Sequence, residues 1–206
     1  MKSKTIALCV VTVVMLLSGA AQADVLFSEN WNNGSFGHNG WTAQGNWGIQ
    51  NKTARFSWNP TRYNYSYNLT STILDTSGYE DVTLAFDLYL DNWSRQTMEQ
   101  LTVKVYDGDA WQQVANYTNQ SSYSGDIPWT HVSLDISDYI NEDLRLRFTA
   151  HGRNSYNIND WRIDNIVLSG TLAEIIPDIH APAPGAAVLG LLGLGAAGNK
   201  LRRRRK

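Results

Sequence analysis

The chain is predicted to be all-β, a two-sheet antiparallel sandwich or jelly roll. Two observations carry this. Between Asp24 and Gly170 apolar and polar residues alternate in short runs, and helical periodicity is almost absent. Gly, Asn, Asp and Ser punctuate those runs at turn-like intervals. About ten strands in such a body suit two packed sheets. A core of that size stands without disulfides.

Residues 1–23 read as a secretory signal. Lys2 and Lys4 form the positive start, Ile6 to Leu17 the apolar stretch, and Ala21-Gln22-Ala23 a small-x-small cleavage site. The only cysteine, Cys9, lies in that stretch, so the body holds no thiol for disulfides, metal or nucleophilic catalysis. The β-sandwich domain is placed at 24–170. Its clearest strands are Leu84–Leu90, Leu101–Tyr106, Trp129–Ile136, Leu144–Ala150 and Trp161–Gly170, with a further one at Ile73-Leu74-Asp75. Asp107-Gly108-Asp109 is a hairpin turn, because Asp-Gly supplies positive φ. Ser77–Asp81 forms another turn, and Ile136–Ile140 one short helical turn. Residues 171–181 make a linker. The segment 182–206 follows, with Pro182-Ala183-Pro184, fourteen apolar residues from Gly185 to Gly198, and Arg202, Arg203, Arg204, Arg205 and Lys206.

Charge is divided along the chain. The body keeps nine basic residues against all nineteen acidic ones, and the rest of the seventeen Lys and Arg sit at the two ends. An acidic body argues against nucleic acid as a partner, since phosphate contacts need clustered Lys and Arg. The C-terminal apolar stretch would make roughly 21 Å of helix, against a hydrocarbon core of about 30 Å. The arginines behind it are a positive-inside stop.

Pro motif, short apolar helix and terminal arginines together resemble the PEP-CTERM sorting signal of Gram-negative bacteria. The resemblance implies a secreted, surface-sorted protein, transiently membrane-anchored and cut by an exosortase-type enzyme, in organisms that make extracellular polysaccharide. Ala183 departs from the usual Pro-Glu-Pro. A plain membrane anchor is the alternative.

Three stretches of the body carry a second resemblance: Phe27-Ser28-Glu29-Asn30-Trp31 with Gly40-Trp41, Ile73 through Leu90, and the closing Trp161-Arg162-Ile163-Asp164-Asn165-Ile166-Val167-Leu168. Over residues 25–169 the pattern resembles MAM-like and cleaved-adhesin-like jelly rolls, including "choice-of-anchor" domains. That implies a concanavalin-like or galactose-binding-like sandwich used in adhesion or carbohydrate recognition, without naming a ligand. It also implies a structural calcium where the first and last strands meet, with Glu29 and Asp164 as its acids. Asp164 interrupts an apolar strand, where a carboxylate is costly unless paired or metal-bound. Asn30, Asn32 and Asp160 are further oxygen donors of the kind calcium takes. The alternative is that Asp164 bonds turn backbone and Glu29 is a surface acid.

All eight Trp and ten Tyr lie in the body. Aromatic faces beside amides are sugar-binding material, although large aromatics also fill sandwich cores. Trp93, flanked by Asp91, Asn92, Ser94 and Arg95, reads as a loop residue. Trp58, Arg62, Tyr63 and Tyr65 read as parts of one polar aromatic loop. Trp129 and Trp161 open strands and are assigned to packing. Catalysis has less support. Asp87 and Asp91 share a strand face, but no Gly-x-Ser-x-Gly elbow occurs, and the four His are scattered. His151 and Arg153 are placed in a turn. The resulting expectation is a non-catalytic sandwich associated with extracellular polysaccharide. A protein–protein adhesion or coat module is the rival, and a glycan-acting enzyme comes third.

Overall fold

The computed structural model describes residues 22–174, apart from 121 and 123. The segments expected to be the secretory signal and the C-terminal sorting signal, and most of the expected linker, lie outside the described residues.

The strands are β1 (Asp24–Glu29), β2 (Thr42–Ala43), β3 (Trp47–Gln50), β4 (Thr53–Ser57), β5 (Tyr63–Thr70), β6 (Tyr79–Asn92), β7 (Glu99–Tyr106), β8 (Trp111–Thr118), β9 (Ile127–Asp135), β10 (Arg145–Asn154) and β11 (Ile158–Leu172). Short 3₁₀ turns occupy Phe36–Asn39, Ser137–Tyr139 and Ser155–Asn157. One sheet runs β3-β4-β11-β6-β9, with β1 also paired to β11; the other runs β2-β5-β10-β7-β8. Every pairing is antiparallel.

The alternation works as expected. Val82, Leu84, Phe86, Leu88 and Leu90 point inward from β6, while Leu146, Phe148 and Ala150 do so from β10. Burying one face of each sheet against the other is the main stabilising contribution. Phe86 and Phe148 meet edge to face across the core, 5.2 Å apart at 80°. Gly108 turns the β7–β8 hairpin at φ 94°, and Asp107 caps it by accepting the N–H groups of Asp109 and Ala110.

Four expectations change. Ile73–Asp75 is not a strand; Leu74 makes one isolated bridge to Leu144. β11 runs on to Leu172, two residues past the expected domain end, and is held there by pairing with Tyr79 of β6. His151 belongs to β10 rather than a turn, because Gly152 continues the pairing with Glu99. Trp129 is 48 % exposed and lies against Tyr89 on the outside of its sheet, so it is not core packing.

Candidate functional site

One end of the sandwich gathers aromatic side chains from three separate connections. Trp58 follows β4, Trp93 follows β6, and Tyr156 sits in the 3₁₀ turn between β10 and β11. With Asn159 they line a cleft of about 200 Å³. Trp93 is 65 % and Tyr156 48 % exposed. Trp58 and Tyr156 meet edge to face, 5.4 Å apart at 88°.

Backbone hydrogen bonds fix these connections to each other. The Asn157 carbonyl accepts the N–H groups of Trp93 (2.9 Å) and Ser94 (2.7 Å), and Trp58 N–H donates to the Asn159 carbonyl. The Ser155 hydroxyl donates to the Trp58 carbonyl and accepts Arg62 N–H. Asn159 donates its amide to Asp91 at 2.8 Å. The cleft therefore offers aromatic faces beside an oriented amide and a carboxylate.

The expected loop set divides. Trp58 and Trp93 come together in the cleft. Tyr63 is 72 % exposed at the start of β5. Arg62 is exposed, donates from Nε to Asn46 Oδ1 and lies over the Tyr67 ring. Tyr65 is a correction. It faces the core and stacks on Phe56 at 5.3 Å and 12°, because β5 alternates and position 65 points inward. Tyr156 was not foreseen; its turn is closed by Asn154 Oδ1 accepting Tyr156 N–H, an Asx signal the sequence does contain.

Behind the cleft lies a buried polar cluster that no motif announces. Glu99, fully buried, accepts through Oε1 from the Thr97 hydroxyl (2.5 Å), Asn154 N–H (3.0 Å) and the Asn157 amide (3.3 Å). The Tyr65 hydroxyl lies against it, and burial followed by Glu99's charge pushes the phenol's pKa up. Asn119, also fully buried, accepts Glu99 N–H and donates to Asn92 Oδ1 and to the carbonyls of Ser94 and Thr97. These groups hold the connections that carry Trp93 and Tyr156.

The expected metal ligands also divide. Glu29 ends β1, is buried, and accepts Asn30 N–H (2.9 Å), Trp31 N–H (2.7 Å) and the Asn39 amide (2.9 Å). Asp164 sits beside a bulge in β11, with Asn165 at φ 48°, and accepts Asn165 N–H at 2.8 Å. Burial and the charges of Asp87 and Glu29 outweigh that bond and raise the Asp164 pKa. Asn30 is exposed and accepts Asn32 N–H. Asp160 is a correction. It is buried between Arg55 and Arg162, each 2.7 Å away, and two guanidiniums already neutralise it. Among the described residues no group of three or more His, Cys, Asp and Glu is placed to hold a metal ion. Asp87, weighed as an acid beside Asp91, instead bonds His131 and Asn165; the Asn165 amide, then His131, lower its pKa.

No family model and no curated protein sequence matches this chain. Solved structures match in fold. The K3 cleaved adhesin domain of Lys-gingipain from Porphyromonas gingivalis aligns with a TM-score of 0.51 at 13 % identity, over 70 % of this chain and 98 % of that domain. TmCBM27, a carbohydrate-binding module described for specific mannan recognition, aligns with a TM-score of 0.47 at 13 % identity, over 73 % and 99 %. The CBM22-1 xylan-binding domain of Xyn10C from Paenibacillus barcinonensis gives 0.43 at 15 %, over 76 % and 100 %. At these identities the likeness is one of fold, and it makes this chain a jelly-roll-type β-sandwich similar to a cleaved adhesin domain.

Proposed function

We propose that the chain is a non-catalytic, secreted module that holds extracellular polysaccharide in the cleft of Trp58, Trp93 and Tyr156. The observation that carries the reading is the cleft itself. Three aromatic residues from three connections are tied backbone to backbone, and Trp93 is left mostly exposed beside the Asn159–Asp91 pair. Exposed aromatics rarely justify such bracing by packing alone. Sugar C–H faces stack on the rings while amide and carboxylate take hydroxyls. Tyr63 and Arg62 extend the rim.

The terminal segments support surface sorting. Pro182-Ala183-Pro184, the apolar run and Arg202 to Arg205 address the chain to an exosortase-type enzyme of a Gram-negative cell, with membrane anchorage before processing. Glu29 and Asp164, with Asn30 and backbone carbonyls, would hold a structural calcium ion. Their donor set is oxygen only, as calcium requires, and Asp164 lies in a field of like charge that a cation would relieve. When bound, the ion supplies positive charge that ties the end of β1 to β11.

A protein–protein adhesion reading has one observation of its own, the exposed Trp129 beside Tyr89 on a sheet face. Titration of the chain with polysaccharide from its own source, with calcium and then with chelator, tests both. Saturable binding lost in Trp93→Ala supports the cleft. Binding by neither form moves the function to the Trp129 face. A melting temperature unaffected by chelator removes the calcium.

A further inference from the structure

The outward face of the β2-β5-β10-β7-β8 sheet collects cations that have no counter-ion. Cross-strand pairing sets its rows. Arg145 lies opposite Tyr106, which lies opposite Trp111. Arg147 lies between Lys104 and Thr70, Thr149 between Thr102 and Asn68, and His151 between Gln100 and Ser66. No Asp or Glu stands in these rows. Yet the body as a whole has about twice as many acids as bases. Lys104, Arg145 and Arg147 form no ion pair among the described residues, and Arg145 Nε is buried without a hydrogen-bond acceptor. In the adjoining hairpin, Asp107 is occupied by Asp109 N–H, Ala110 N–H and the Gln112 amide.

The cations are also held in place. The Arg147 guanidinium carbon lies 3.6 Å from the Trp111 ring centroid, and its Nε donates to Thr70. Arg145 lies over Tyr106 at 5.2 Å. Stacking covers the flat face of a guanidinium and leaves its in-plane donors free to meet a carboxylate or sulfate side by side. Burial, then Arg145's charge, lower the Arg147 pKa. Hydroxyls and amides continue the surface. Thr102 donates to Asn116 Oδ1, so it accepts the Nε2–H of a neutral His151. Burial, then Lys104's charge, lower the His151 pKa and keep it so. Lys104 lines a depression of about 220 Å³, Arg145 and Arg147 line another of about 410 Å³, and the strand register sets Lys104 beside Arg147.

We propose that this sheet face binds an acidic polysaccharide, with Lys104, Arg145 and Arg147 receiving its carboxylate or sulfate groups. It shares no residue with the aromatic cleft and does not depend on it. Charge complementarity selects the occupant. Unpaired cations among hydroxyls and amides suit a chain of polyols that carries about one anion per sugar. Duplex DNA, with a charge every ~1.7 Å, is repelled more strongly by an acidic body.

The test uses the full chain with Arg202, Arg203, Arg204 and Arg205 replaced by Gln in every sample, so that the tail does not contribute. Polygalacturonate and dextran sulfate are titrated at low and high salt, with plain dextran as control. Polygalacturonate and dextran sulfate distinguish carboxylate from sulfate recognition. Binding of at least one, weakened by salt and absent with plain dextran, is expected. Lys104→Gln/Arg145→Gln/Arg147→Gln is expected to lose at least about tenfold in affinity. Its melting curve checks that it folds, and Arg147→Lys, which keeps charge but not the fork, gives an intermediate loss. Lys52→Gln, which removes an exposed cation between β3 and β4 of the other sheet, binds as the parent does. The proposal is overturned if the triple variant binds like the parent, if Lys52→Gln loses as much affinity as the triple variant, if neither polyanion binds, or if duplex DNA binds as tightly as either.

Discussion

Trp93 N–H donates to the carbonyl of Asn157, so the most exposed indole of the cleft is anchored to the turn that carries Tyr156. The two exposed rings thus share one hydrogen-bonded support. Loops that carry function are commonly positioned in this way by the scaffold beneath them.

Removing the Trp93 ring tests recognition without testing folding. The side chain is exposed, so Trp93→Ala should change stability by no more than about 0.5 kcal/mol. If it anchors a sugar, binding should weaken by about 2 kcal/mol, roughly thirtyfold. Calorimetric titration and thermal melts on the same sample measure both.

Glu99 holds the support together. In Glu99→Ala the Thr97 hydroxyl, Asn154 N–H and Asn157 amide lose their shared acceptor inside the protein. A destabilisation of about 3 kcal/mol is expected, read from denaturant unfolding. Glu99→Gln keeps the volume and should cost less. Near-ultraviolet dichroism of the Trp58–Tyr156 pair should weaken in Glu99→Ala even under folding conditions.

Asp160 separates an ion-paired acid from a metal ligand. Asp160→Asn leaves Arg55 and Arg162 without their counter-charge and should destabilise by about 2 kcal/mol, a figure reduced for the partial exposure of both arginines. The loss should be the same with calcium and with chelator. A calcium-dependent loss would return Asp160 to the metal site.

Acid should unfold the protein partly through its turns. Asp75, Asp107 and Asp135 each accept turn donors, chiefly Ser77, Ala110 and Ser137, and each has a pKa lowered from 3.8. A carboxylate with a depressed native pKa stabilises above its unfolded value and loses that contribution as pH falls through the native one. Melting temperature should therefore drop below about pH 4. The triple Asp→Asn variant should show a shallower drop; an unchanged slope would place the acid sensitivity elsewhere.

The strands were legible because their period is two and their faces differ. Leu84 to Leu90 shows this most plainly, with Leu84, Phe86, Leu88 and Leu90 buried and Ala85, Asp87 and Tyr89 partly exposed. The same rule would have placed Tyr65 inward, but the run Tyr63-Asn64-Tyr65-Ser66-Tyr67 has too few aliphatic residues to declare a strand. Trp129 misled in the opposite way, since a strand-opening indole carries no mark of its face. Glu99 was hidden because burial of an acid depends on distant partners. Gly152 makes room for it: a Cβ there would stand 1.8 Å from Glu99 Oε2. Asp160 and Asp164 look alike in sequence, four residues apart. Their different fates follow from Arg55, which only pairing with β4 brings near.

β11 is the centre of its sheet and also the last strand of the domain, with β1, β4 and β6 all bonded to it. A chain made from its N-terminus must therefore hold β1 without a partner, and the β3–β4 and β6–β9 pairs unjoined, until β11 has emerged. Contacts this distant in sequence are slow to form. Residues 22–157 alone would lack the strand that joins β1 and β4 to β6. Such a domain stays open while it is being made, and its two halves close into one sheet only when the last strand is present.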